Sequence, residues 1–277
     1  MLLCFVHPCP RTAPMTSPFA SSPKSALECW IAQDGTQLAD WAYLFLQELL
    51  RHQAADQLAH IALSGGSTPK RLYERMTQNK ADVALWERAH WYVSDERNVP
   101  IEHADSNFGL ADRTLFQPAA LSRQLLHPVP IDVDAPAVAA AAYEELIEAS
   151  LPKRVNGRPA FDLIFLGLGD DAHTASLFPG TSGLKEQTRN VIANHVPKLN
   201  TQRITFTAPL INHAHAVVFL VSGSSKTGAL EQIWHGPRNP DLYPAQLIHG
   251  AERVIWMVDR GALGHLEPPP MATHIKQ

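Results

Sequence analysis

The sequence predicts an α/β protein, a parallel sheet with helices on both faces. Two patterns predict it. Short, fully apolar runs alternate with stretches of helical periodicity, and a strand that is apolar on both sides belongs in a sheet covered on both faces. Those runs also end in Gly, Ser, Asp, Arg or Lys, and open α/β sheets bind ligands beyond the carboxyl ends of their strands. Composition agrees. The chain has 277 residues, 45% hydrophobic and 18% charged. That is enough for one large domain or two small ones, and unlike a disordered chain.

The elements follow in order. Residues 1–25 carry Pro8, Pro10, Pro14, Pro18 and Pro23 among many Ser and Thr, and read as a disordered leader. Its apolar start, Leu2, Leu3, Phe5 and Val6, is too short for a signal peptide and lacks a basic region before it. Met15 is an alternative start. Leu38, Trp41, Ala42, Phe45, Leu46, Leu49 and Leu50 recur at helical spacing and predict an amphipathic helix. His60–Leu63 reads as a strand, and a helix is expected from Pro69 to about Lys80. His90–Val93 is the next strand, and Ala135–Glu148 an Ala-rich helix. Phe161–Leu166 is a third strand, and another is expected around Asn190–Asn194. Ala216–Val221 is followed by a helix, and Val254–Val258 is the last strand. The boundaries are a single α/β domain at 26–264 and a flexible tail at 265–277, where Pro268, Pro269 and Pro270 cluster.

Several function classes drop out. The net charge is −4, from 23 Lys plus Arg against 27 Asp plus Glu, which argues against a general nucleic-acid binder. No apolar run approaches the roughly 20 residues that span a bilayer. Cys4, Cys9 and Cys29 are odd in number and form no C-x-x-C, so neither a disulfide scaffold nor a structural zinc is expected. A reducing, cytoplasmic setting is expected. His213 and His215 have a metal pair's spacing but no evident third ligand, and read as structural or surface residues.

Four places have chemical potential. In Ser64-Gly65-Gly66-Ser67-Thr68-Pro69, the glycines permit close backbone approach to a ligand. A hydroxyl can cap the following helix, and Pro69 suits the first helical position. The alternative is an ordinary capped turn. The run is neither a P-loop nor a nucleophile elbow. In Ser94-Asp95-Glu96-Arg97, Arg97 can clamp a phosphate or carboxylate, or belong to a salt-bridged surface turn. Gly167-Leu168-Gly169-Asp170-Asp171-Ala172-His173 superficially matches a dinucleotide fingerprint, but Asp170 and Asp171 would repel a pyrophosphate. His173 beside Asp171 at a strand's carboxyl end reads better as a general base, the alternative being a capping Asp and a surface His. Lys198, Arg203 and Lys226 supply positive charge in the second half, Lys226 where a strand meets a helix.

Together these segments resemble the glucosamine-6-phosphate isomerase/6-phosphogluconolactonase family, on its lactonase side. The resemblance rests on Leu63–Pro69, Ser94–Arg97, Val99-Pro100 with Asp105-Ser106-Asn107, and the highly specific LGLGDDAHTASLFP run from Leu166 to Pro179. It also rests on Lys198 with Arg203-Ile204-Thr205, and on Gly223–Lys226. It spans roughly residues 30–262 in the family's order. It implies a mostly parallel, Rossmann-like sheet similar to that of glucosamine-6-phosphate deaminase and ribose-5-phosphate isomerase. It implies hydrolysis of 6-phospho-D-glucono-1,5-lactone to 6-phosphogluconate, the second step of the pentose phosphate pathway, without metal or cofactor. The partner implied is that small sugar-phosphate lactone, handled by a monomer or small homo-oligomer. By resemblance His173 is the base on water and Asp171 orients it. Ser64, Gly65, Gly66, Ser67, Thr68, Arg203 and Lys226 would hold the phosphate, with Lys198 nearby. Arg97 would serve phosphate or oxyanion. One departure is Ala172, where the family usually has Gly; if that position needs positive φ, Ala is strained there. The alternatives are a sugar-phosphate deaminase or isomerase, and a sugar-phosphate-binding protein without catalysis. The deaminase uses an acid five residues after the His, where this chain has Phe178.

Overall fold

The computed structural model describes residues 26–54, 56–269 and 274–276. The leader, with Cys4, Cys9 and Met15, lies outside the described residues. The chain runs β1 (Ala26–Ala32), α1 (Gly35–His52), β2 (Ala59–Leu63), α2 (Ser67–Thr77), α3 (Val83–Trp86), β3 (Ala89–Val93), β4 (Asp95–Arg97), α4 (Asn107–Ala111) and α5 (Pro136–Ser150). It continues through β5 (Arg154–Val155), β6 (Arg158–Pro159), β7 (Leu163–Leu166), β8 (Val191–Val196), β9 (Thr201–Phe206), α6 (Ala208–Asn212), β10 (Ala216–Val221), α7 (Thr227–Trp234), β11 (Arg253–Asp259), α8 (Arg260–Leu263) and β12 (His274–Lys276).

Seven strands make the central sheet, in the order β12-β1-β11-β10-β7-β2-β3. Every neighbouring pair is parallel. All residues of β2, β7 and β10 are buried. Successive strand side chains point to opposite faces, so both faces are covered. Helix α1 forms as its apolar spacing predicts. Leu38, Ala42, Phe45, Leu46, Leu49 and Leu50 are buried, and Asp34 caps its start by accepting from the Thr36 and Gln37 amides at 2.8 and 2.9 Å. β5 and β6 form a hairpin whose two-residue turn, Asn156-Gly157, takes positive φ at both positions, as such hairpin turns require.

The strand order places the site. From β2 the chain adds β3 on one side, then returns to lay β7 on the other. This reversal opens a crevice past the carboxyl ends of β2 and β7. A second, antiparallel sheet, β4-β9-β8, adjoins it. Ser94 joins the two sheets: its amide donates to the Leu63 carbonyl and its carbonyl accepts from the Phe206 amide, both at 2.8 Å.

Four local expectations change. Ser94–Arg97 is not a surface turn: Asp95–Arg97 is a strand, because β9 offers it a ladder. α2 begins at Ser67 with Gly66 as its cap, and no side chain caps it. Pro69 is therefore its third residue, a position whose amide also has no partner within the helix. The β1 strand was not evident in the sequence, and residues 274–276 of the presumed tail pair with it. His213 Nδ1 contacts the Pro209 carbonyl at 2.6 Å, and His215 lies 3.2 Å from Glu252. Cys29 is buried, which pushes its thiol up to about 12. Among the described residues, no helix is long and apolar enough to cross a membrane.

Candidate active site

A cavity of about 210 Å³ lies at the β2/β7 crevice. Its floor is backbone. Gly66, at φ +105, turns the chain from β2 into α2, and the Ser64 carbonyl accepts from Tyr73 Oη at 2.5 Å. Gly65 is glycine for space: a Cβ there would lie 1.8 Å from Asn107 Oδ1.

One wall is cationic. β4 and β9 pair in the register Arg97↔Arg203, and both residues line the cavity with Lys226. Like charges directly opposite across a ladder repel, so the arrangement fits an anion lying between them. Burial, and then Arg97, lower the pKa of Arg203. Arg97 Nη1 donates to the Asp105 carbonyl at 2.6 Å. The carboxylate in the wall, Asp95, accepts from the Ser94 and Ser176 hydroxyls at 3.3 and 2.7 Å.

The opposite wall is the turn after β7. No helix follows that strand, so Gly167-Leu168-Gly169 does not form a dinucleotide loop. The chain folds back tightly instead. The Gly169 amide donates to the His173 carbonyl at 2.8 Å, and Thr174 Oγ1 donates to the Gly167 carbonyl at 2.9 Å. This turn presents the His173 ring to the cavity, stacked 4.0 Å from Phe178. His173 Nδ1 lies 2.5 Å from Asp171 Oδ1, and Lys198 Nζ donates to Asp171 Oδ2 at 3.0 Å. The bond to His173, aided by Lys198, holds the Asp171 carboxyl well below the usual carboxylate range, against burial, which acts the other way. Asp171 in turn raises the pKa of Lys198.

Buried polar groups pin this turn to the small sheet. The Ser176 amide donates to Thr205 Oγ1 at 3.0 Å, and Asn194 Nδ2 donates to the Ser176 carbonyl at 2.9 Å. Ala172 takes φ +64, a left-handed conformation costing about 1–2 kcal/mol for a residue with a Cβ. Its methyl is buried and its carbonyl accepts from the Ala245 amide at 3.0 Å. His173 keeps its place on Asp171 in spite of that strain.

Of the residues singled out from sequence, Ser64, Gly65, Gly66, Arg97, His173, Arg203 and Lys226 meet around one cavity. Asp171 stands behind His173, and Lys198 reaches Asp171 from the exposed side. Ser67 and Thr68, at the start of α2, are not among the residues lining the cavity. Asp95, Asn107, Ser176 and Phe178 line it and were not selected from sequence. Their signal was their position inside the very runs that carried the family resemblance.

Comparison with known proteins identifies similar sequences and folds. The family model described as glucosamine-6-phosphate isomerases/6-phosphogluconolactonase matches residues 33–256. A 6-phosphogluconolactonase of Synechocystis sp. is 41% identical over 75% of this chain and 85% of its own length. One of Nostoc sp. is 40% identical over 73% and 82%. The solved structure of the 6-phosphogluconolactonase from Trypanosoma cruzi superposes with a TM-score of 0.78 at 26% identity, over 88% of this chain and 98% of that one.

Proposed function

The chain belongs to the glucosamine-6-phosphate isomerase/6-phosphogluconolactonase family, and from that membership we propose how its cavity carries out the reaction. The chain is an enzyme of the lactonase kind, hydrolysing 6-phospho-D-glucono-1,5-lactone to 6-phosphogluconate in the pentose phosphate pathway. One observation carries the assignment of roles. His173, gripped through Nδ1 by Asp171, faces the same cavity that Arg97, Arg203 and Lys226 make positive.

With Nδ1–H donated to an ionised Asp171, the imidazole has Nε2 free to accept a proton. Water attacks the lactone carbonyl carbon and gives its proton to His173 Nε2. The tetrahedral oxyanion then collapses, the bond from that carbon to the ring oxygen breaks, and the imidazolium returns the proton to the departing oxygen. The cross-strand pairing of Arg97 with Arg203 supports a shared role for both guanidiniums on the 6-phosphate, with Lys226 and the Ser64–Gly66 loop. That anchor positions the distant carbonyl against His173, converting binding into orientation. The position where a deaminase would carry its ring-opening acid holds the Phe178 ring, stacked on His173.

The test is lactone turnover above the spontaneous rate, for wild type and His173→Ala together. The variant should lose about 10²–10⁴-fold in kcat, the usual range for a general base, while still binding 6-phosphogluconate. Near-wild-type turnover by a folded variant would remove His173 from the role. Tight binding by wild type without turnover would make the protein a sugar-phosphate sensor.

A further inference from the structure

Asn107 is the first residue of α4 and lines the cavity, yet it is 97% removed from solvent, with a relative exposure of 3%. Its amide orientation is set. Nδ2 donates to the Asp95 carbonyl at 2.9 Å, and the flipped amide would place oxygen against oxygen. Ser106 and Glu96 hold the backbone around it: Glu96 accepts from the Asn107 and Phe108 amides at 2.6 and 2.8 Å, and Ser106 Oγ accepts from the Gly109 amide at 2.9 Å. Oδ1 is thereby turned toward Gly65, whose missing Cβ makes the room for it. Among the described residues no donor reaches Oδ1, and it is not sealed from the cavity. An amide oxygen open to the cavity and without a protein donor accepts from water until a ligand hydroxyl takes that place. The phosphate offers no donor when ionised. The remainder of a sugar-acid phosphate offers only hydroxyls.

We infer that Asn107 Oδ1 accepts a hydrogen bond from one hydroxyl of the substrate's sugar-acid portion, making Asn107 a specificity residue for polyhydroxylated over deoxy substrates. The inference rests on the lactonase reading of the cavity. It divides the labour within the cavity: Arg97, Arg203 and Lys226 take the charge, and Asn107 reads the polyol. A purely structural Asn107 would not discriminate among ligands that differ by one oxygen.

The experiment is calorimetric binding of 6-phosphogluconate and its 2-, 3- and 4-deoxy analogues to wild type and Asn107→Ala, with inorganic phosphate as control. Wild type should bind one of the deoxy analogues about tenfold more weakly than the parent, the size of one neutral hydrogen bond. Asn107→Ala should bind the parent about tenfold more weakly, bind that same analogue no worse than the parent, and leave phosphate affinity unchanged. Should Asn107→Ala not fold, Asn107→Ser removes the amide and keeps a small polar side chain, with Ser106 still capping α4. An undiminished penalty for that analogue in the variant, or equal weakening of every ligand including phosphate, overturns the inference and leaves the lactonase reading standing. Failure of wild type to bind 6-phosphogluconate overturns both.

Discussion

At the scale of single residues, the site depends on close approach as much as on charge. His173 is placed by the turn under it, and Gly169 is the tightest point of that turn. A Cβ on Gly169 would lie 2.0 Å from His173 Nδ1 and 2.7 Å from Asp171 Oδ1. Gly169→Ala must therefore push the imidazole off its carboxylate. A displacement near 1 Å costs on the order of 100-fold, so kcat should fall about that much with the fold retained, as lactone kinetics and circular dichroism would show together. Lys226 makes the opposite case. It lines the cavity but forms no hydrogen bond or ion pair with His173 or Asp171. Lys226→Ala should raise KM about 10–100-fold, the range of a charge-assisted bond, and change kcat much less. An unchanged KM would take Lys226 out of the phosphate site.

At the scale of elements, the strand least visible in the sequence is held by a buried ion pair. In β1, Glu28 is 4% exposed and its Oε1 accepts from Arg253 of β11 at 2.8 Å to Nε and 2.7 Å to Nη2. Trp30 Nε1 donates to the other oxygen of Glu28 at 3.2 Å. Breaking a buried pair from one side leaves its other charge poorly compensated. Glu28→Gln should lower stability by about 3 kcal/mol, read as a lower denaturant midpoint at unchanged slope. A change below about 0.5 kcal/mol would show that the pair is effectively solvated. The strand β4 shows the same principle from the other side. Its three residues are two acids and an arginine, and it is a strand because β9 supplies hydrogen bonds.

At the scale of the whole molecule, the end of the sheet away from the cavity carries a histidine cluster. His60 and His90 are cross-strand partners with rings 5.0 Å apart. His127 Nε2 lies 2.9 Å from His90 Nδ1 and stacks 4.4 Å from Tyr92, whose hydroxyl lies 3.0 Å from His60 Nδ1. Asp162 and Lys153, themselves paired, complete the charged surroundings. Burial, and then neighbouring His90, lower both His60 and His127 to about 4. A histidine with a depressed folded pKa binds its proton more readily when unfolded. Its contribution is whole above the unfolded value near 6.5 and is lost as pH falls through about 4. Stability should thus decline between those limits by on the order of a few kcal/mol. Urea midpoints at pH 7 and pH 4.5 would measure it. In His60→Gln/His127→Gln the slope should flatten, and an equal slope would place the acid sensitivity elsewhere.

Much was legible in the sequence, for reasons that are local. Apolar runs such as Ala216–Val221 and the periodic positions of α1 mark buried elements because burial on both faces, or on one stripe, imposes a pattern on neighbouring residues. The LGLGDDAHTASLFP run marks the site because the turn, the His173 imidazole and the stacking Phe178 ring follow closely in the chain. What only the tertiary structure decided was long-range. Arg97 faces Arg203 through a ladder between segments about a hundred residues apart, Glu28 is buried because Arg253 meets it, and Asn107 reaches the cavity through the vacancy at Gly65. A single residue type states its own preference for burial or turn. Its partner across a sheet is chosen by topology, which no local window contains.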